Sequence, residues 1–150
     1  MAADGGAFLA KMKGLIGRLR ALGDKQFTRK VATQMAAEAL RQVKSEFREA
    51  RDPYGRAWAP RKAKRRPDSS TRGQPLLNTG RLRNSFSSNG NEAGFRVGTN
   101  VSYAIYHQYG APKAKIPVRA MLPSQGNLGP IWRAALHKIF DDSMKRHMKG

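Results

Sequence analysis

Acid–base or metal chemistry in this 150-residue chain would have to come from its three histidines and ten acidic residues. A proton-transfer pair or an ion cage needs several such groups brought together. The histidines, His107, His137 and His147, form no ligand run, and no acidic residue stands at ligand spacing from His107. Asp141 and Asp142 are the one adjacent acidic pair. Neighbouring side chains diverge on a helix, which suits a two-carboxylate site poorly. The chain has no cysteine, which excludes disulfides, thiol nucleophiles and thiolate metal sites. Phosphate-loop and dinucleotide-loop glycine patterns are also missing. The expectation is a protein that is not an enzyme and carries no cofactor or metal.

Two other clusters point to binding. Arg61, Lys62, Lys64, Arg65 and Arg66 form a basic block within a polar loop at 56–75. Such a block contacts nucleic acid through phosphates, faces an acidic partner protein, or is a solvated loop. Further on, Tyr103, Tyr106 and Tyr109 crowd around His107 and Gln108. On a helix, Tyr103 and His107 lie one turn apart; on a strand, Tyr103, Ile105, His107 and Tyr109 share a face. Either way an aromatic ring sits beside the imidazole. One reading is a partly buried histidine satisfied by a backbone carbonyl. The other is a hydrogen-bonding latch at a subunit interface, with Gln108 as both donor and acceptor. Gly110 reads as a left-handed exit from this element, made rigid by Pro112.

The elements that would position these clusters are legible from periodicity. At 7–22, Phe8, Met12, Leu15, Ile16, Leu19 and Leu22 suggest a helix weakened by Gly14 and Gly17. A basic amphipathic helix on a membrane surface is the alternative there, though the glycines cut its stripe. Asp24 is a candidate cap for a long helix from Phe27 to Phe47, with Val31, Met35, Ala39 and Val43 at four-residue spacing. Pro53 and Gly55 end it. Trp58 reads as an anchor returning the basic loop to the body. A strand is expected from Leu82, with Leu82, Asn84, Phe86 and Ser88 on one face, then a turn at Asn89–Gly94. The returning strand has Phe95 and Val97 inward. A last strand is expected through Val118, Ala120 and Leu122, bounded by Pro117 and Pro123. A C-terminal helix follows, capped by Asn127, with the stripe Ile131, Ala135, Ile139 and with Trp132, Leu136 and Phe140 beside it. The fold class is α+β: a small antiparallel sheet packed against the long helix, plus a C-terminal helix, in one domain over 1–150.

Composition adds a demand for partners. Lysine and arginine number 29 against 10 acidic residues, a formal net charge of +19. Such a surface repels itself unless it meets an anionic or acidic partner, although dispersed basic charge also serves as ordinary solvated surface. No secretion signal opens the sequence, and no stretch approaches the ~20 apolar residues that cross a bilayer. A soluble protein without membrane contact is expected.

The pieces Leu77-Asn78-Thr79-Gly80-Arg81-Leu82-Arg83-Asn84-Ser85-Phe86, Val97-Gly98-Thr99-Asn100, Tyr103-Ala104, His107-Gln108 with Gly110, and Ile116-Pro117-Val118-Arg119 together carry a resemblance. They make the chain similar to the phage virion morphogenesis and tail-completion family, which includes the Mu G-type and P2 S-type proteins. Relatives typically follow the final arginine with Pro-Phe, where this chain has Ala120-Met121. The resemblance implies a structural virion protein of the neck or head-proximal tail end, assembled in the host cytoplasm. It implies a homo-oligomeric ring that joins phage connector, neck or tail-tube proteins and brings no catalytic residue. Tyr103, Tyr106, His107, Gln108, Tyr109 and Arg119 are the candidate subunit interface. A basic surface that touches genomic DNA without reading its sequence is compatible with that role, and a non-sequence-specific nucleic-acid-binding module is the alternative.

Overall fold

The computed structural model describes residues 13, 14, 17, 24–61, 74–124 and 126–149. Helix α1 (Lys25–Glu49) is its spine. Asp24 caps it, its Oδ1 accepting the backbone N–H of Phe27 at 2.9 Å. The expected stripe is the buried one: Phe27, Val31, Met35, Ala39, Val43 and Phe47 all face inward. The helix stops at Ala50, in the left-handed region at φ 52°, whose N–H closes on the Glu46 carbonyl. Asp52 then builds a turn, its Oδ1 accepting the N–H groups of Tyr54 at 2.9 Å and Arg56 at 2.8 Å. That turn returns Trp58 to the body. Its ring meets Phe47 edge-on at 5.3 Å, and its indole N–H donates to the Ala120 carbonyl at 2.9 Å. Of the segment 7–22, Lys13, Gly14 and Gly17 are helical; the rest lies outside the described residues.

Leu82 does not begin a strand. Residues Arg81–Ser85 form a short helix, α2, and strand β1 starts only at Phe86. Leu82 and Phe86 are both buried, and residues four apart share a face on a helix as residues four apart do on a strand. Gly80 at φ 73° and the bond from Asn84 N–H to the Gly80 carbonyl decide for the helix. β1 (Phe86–Asn91) pairs antiparallel with β2 (Gly94–Thr99), Phe86 opposite Thr99 and Asn91 opposite Gly94. The turn is therefore only Glu92-Ala93, with Ala93 N–H held by the Asn91 side chain at 2.8 Å. Asn89 and Gly90, expected in the turn, are strand residues. Phe95 and Val97 pack against the core as expected.

The hairpin lies on α1, to which it makes its main contacts. Gly90 shows how closely: a Cβ there would lie inside the backbone of Ala32 and Thr33. The small buried residues Ala32, Ala36 and Ala39 on that side of α1 allow the approach. Helix α4 (Gly129–Lys149) packs on α1 as well, its start capped by Asn127 Oδ1 accepting Gly129 N–H at 3.1 Å. Its inward face is Trp132, Leu136, Phe140 and Ser143, one residue round from the expected stripe, and Ile131 is 48% exposed. Two apolar stripes lie side by side on this helix, and the one with the larger rings is buried.

Among the described residues the sheet has two strands. The third strand expected at Val118–Leu122 is absent. That segment has no regular structure: Arg119 and Met121 are buried while Val118 is exposed. Its backbone hydrogen bonds go to His107 and Gln108 of helix α3 (Ala104–Tyr109) and to the Trp58 indole instead of a neighbouring strand.

Candidate assembly surface

Helix α3 is set by its approach from β2. Thr99 Oγ1 lies 2.5 Å from Ser85 Oγ and accepts the Val101 N–H, and the Val101 carbonyl accepts the Ala104 N–H at 3.1 Å. Ala104 is buried and holds the helix to the core. Its outer side carries Tyr103, Ile105, Tyr106 and Tyr109, and Val118 stands exposed close by, its Cγ2 3.0 Å from where a Cβ on Gly110 would sit. Tyr106 is 53% exposed and Tyr109 74%. That is unusual exposure for aromatic rings on a folded surface.

The polar residues beside them are committed within the chain. Gln108 acts as donor and acceptor, as expected of a latch, but towards its own subunit. Its Nε2 donates to the Leu122 carbonyl at 2.8 Å, and its Oε1 accepts the N–H of Met121 at 2.8 Å and of Leu122 at 3.1 Å. His107 is half-buried, with the Tyr103 ring edge-on at 6.2 Å. It is not satisfied through a carbonyl: its Nδ1 is buried without a hydrogen-bond partner. Burial, reinforced by the charge of Arg119, pushes the imidazole pKa down, so the ring is neutral at physiological pH. Arg119 is buried. Its guanidinium donates to the carbonyls of Ala59 at 2.7 Å and Pro60 at 2.9 Å, pinning the root of the basic loop. Gly110 leaves α3 at φ 77° and ψ 163°, a positive φ but extended rather than left-handed helical.

Arg61 is exposed at the edge of the basic block. Lys62, Lys64, Arg65 and Arg66 lie outside the described residues. Among the described residues no group of three or more histidine, aspartate or glutamate side chains can hold a metal ion.

Two features escaped the sequence. Glu46 is buried against α4, and the Trp132 indole N–H donates to its Oε1. Burial raises its pKa to about 9, against the Trp132 hydrogen bond and with help from the charges of Asp52 and Glu49. It is therefore uncharged at neutral pH, and the fold is even more basic than its formula. The second is a cleft of about 300 Å³ between the start of α1 and the end of α4. Phe27 and Val31 line it, with Lys30, Gln34, Ser143, Arg146 and His147. The His147 ring stacks on Phe27 at 4.0 Å and lies 3.4 Å from the Asp24 carboxylate. Ser143 donates to Gln34 Oε1 at 2.8 Å. In the sequence Lys145, Arg146 and His147 look like complements to the helix carbonyls, and nothing there ties them to Phe27.

No curated protein and no solved structure matches the chain. The phage virion morphogenesis family matches residues 9–145. That span takes in the helical spine, the hairpin, the aromatic surface of α3 and most of α4, and the chain belongs to that family, as a structural protein of phage virion assembly.

Proposed function

We propose that the chain works at the neck or the head-proximal end of the tail, in tail completion or head–tail joining, as a homo-oligomeric ring whose subunits meet through the α3 face. One observation carries the reading. From Val97 to Pro112 the chain has no lysine, arginine, aspartate or glutamate, although 26% of its residues are charged. The same stretch exposes three tyrosines and an isoleucine. Tyrosine buries a rigid ring while keeping a polar tip, which suits a protein interface. Copies with a charge of +19 repel one another, and an uncharged aromatic face is where they meet at least electrostatic cost. Gln108 and Arg119 support the contact from beneath, the first by fixing residues 121 and 122 and the second by holding the loop root. Partners are phage connector, neck or tail-tube proteins, and the work needs no catalysis or cofactor.

The test is assembly of particles lacking this chain. Heads and tails that fail to join, or tails with an unfinished end, are expected. Normally joined particles overturn the reading.

A second reading is favoured by the excess of cations: a surface that holds nucleic acid through its phosphates, with Arg61, Lys62, Lys64, Arg65 and Arg66 as contacts. Neutralising three of these should reduce the salt slope of DNA binding by about 3 without changing sequence preference. An unchanged slope removes the loop from any DNA contact.

A further inference from the structure

We infer that the tyrosine face of α3 on one copy seats in the cleft between α1 and α4 of the next copy. The inference rests on the ring reading and names the other half of its contact. A ring closes through a heterologous interface, in which two different patches of the same chain meet. The α3 face is one patch, and the cleft has the shape and chemistry of the second.

The two patches lie at opposite ends of the subunit. α3 and residues 119–122 are tied to the C-terminal end of α1 through Trp58, which touches Phe47 and bonds to Ala120. The cleft is built on Phe27, Lys30, Val31 and Gln34 at the other end. Twenty residues of helix separate Phe27 from Phe47, roughly 30 Å. Patches so placed suit a head-to-tail contact.

The fit is chemical as well. A cleft of about 300 Å³ is large enough to take an aromatic side chain. Phe27 and Val31 give it an apolar floor, and the Gln34–Ser143 pair offers polar atoms to a phenol hydroxyl. Lys30 and Arg146 stand on the rim, where a cation is attracted to the face of a tyrosine ring. The incoming helix brings no like charge to these cations, since His107 is its one titratable nitrogen base and is neutral. The chain's own first 23 residues complement the cleft less well. They carry Lys11, Lys13, Arg18 and Arg20 against Asp4, the same sign as the rim.

The chain has no cysteine, so every thiol it carries in a test variant is an introduced one. Ile105→Cys and His147→Cys, in one chain, place one thiol among the tyrosines and the other in the lining of the cleft, and keep the three tyrosines, Lys30 and Arg146. Assembled particles carrying this variant are treated with a short bis-maleimide and run on a denaturing gel. A ladder of covalent multimers is expected from the double variant and none from either single variant. Dimers from Ile105→Cys alone would mean that the tyrosine faces meet each other, and would overturn the inference. So would links from His147→Cys to a different particle protein, or no link at all in particles that hold several copies. If the native mass of the wild-type assembly shows a single copy, the ring reading itself falls and this inference falls with it.

Discussion

The Trp132 indole N–H and Glu46 Oε1, 2.5 Å apart, join α4 to α1 through a carboxyl group that is uncharged at neutral pH. Its folded pKa, about 9, stands above the ordinary value of 4.5. Between those values the folded protein binds more protons than the unfolded chain. The stabilisation this group gives is complete below about pH 4.5 and is lost as pH rises through about 9. The slope is on the order of 1 kcal/mol per pH unit within that window. Glu46→Gln keeps an acceptor for Trp132 and removes the titration. Urea unfolding at pH 5 and pH 8 should show the variant gaining on the wild-type protein as pH rises. An equal loss at both pH values would show that Glu46 is ionised in the fold.

Gln108 replaces a missing strand. Three backbone groups of Met121 and Leu122 bond to its one side chain. Gln108→Ala strands them, at about 1 kcal/mol for each bond lost. Thermal unfolding should show a loss of about 2–3 kcal/mol, and hydrogen exchange should accelerate first at the amides of residues 121 and 122.

Gly90 admits no side chain, because its Cα faces the backbone of Ala32 and Thr33 on α1. Gly90→Ala should cost about 3 kcal/mol or more, the upper range for overpacking, since helix backbone cannot step aside. The denaturation midpoint is the measure. Gly98→Ala is the control, since a Cβ at Gly98 meets nothing within 4 Å.

What was legible in the sequence was what repeats. The four-residue stripe of α1 has one interpretation, and so do alternating strands around a polar turn. Leu82 and Phe86 had two, because four residues return to the same face on a helix and on a strand alike. The stretch 118–122 looked like a strand from its flanking prolines, yet its partner is a glutamine side chain, which leaves no periodic trace. The α4 stripe was ambiguous by one residue for want of knowing which rings α1 would accept. Tyr106 and Tyr109 are exposed, whereas aromatic crowding in the sequence leaves core packing and a subunit contact both open. Arg119 turned inward because two loop carbonyls, Ala59 and Pro60, wait for it from far along the chain. The cleft was invisible because its two walls meet only after folding.

The central claim is that the tyrosine face of α3 holds copies together. Tyr103, Tyr106 and Tyr109 are each more than a third exposed in the single chain, so changing all three to alanine should leave the subunit close to its original unfolding temperature. The decisive measurement is the number of copies retained per particle by the triple alanine variant, counted by quantitative mass spectrometry of purified particles. The account predicts a folded subunit that is largely lost from particles. A full complement of the variant in normally joined particles would contradict it.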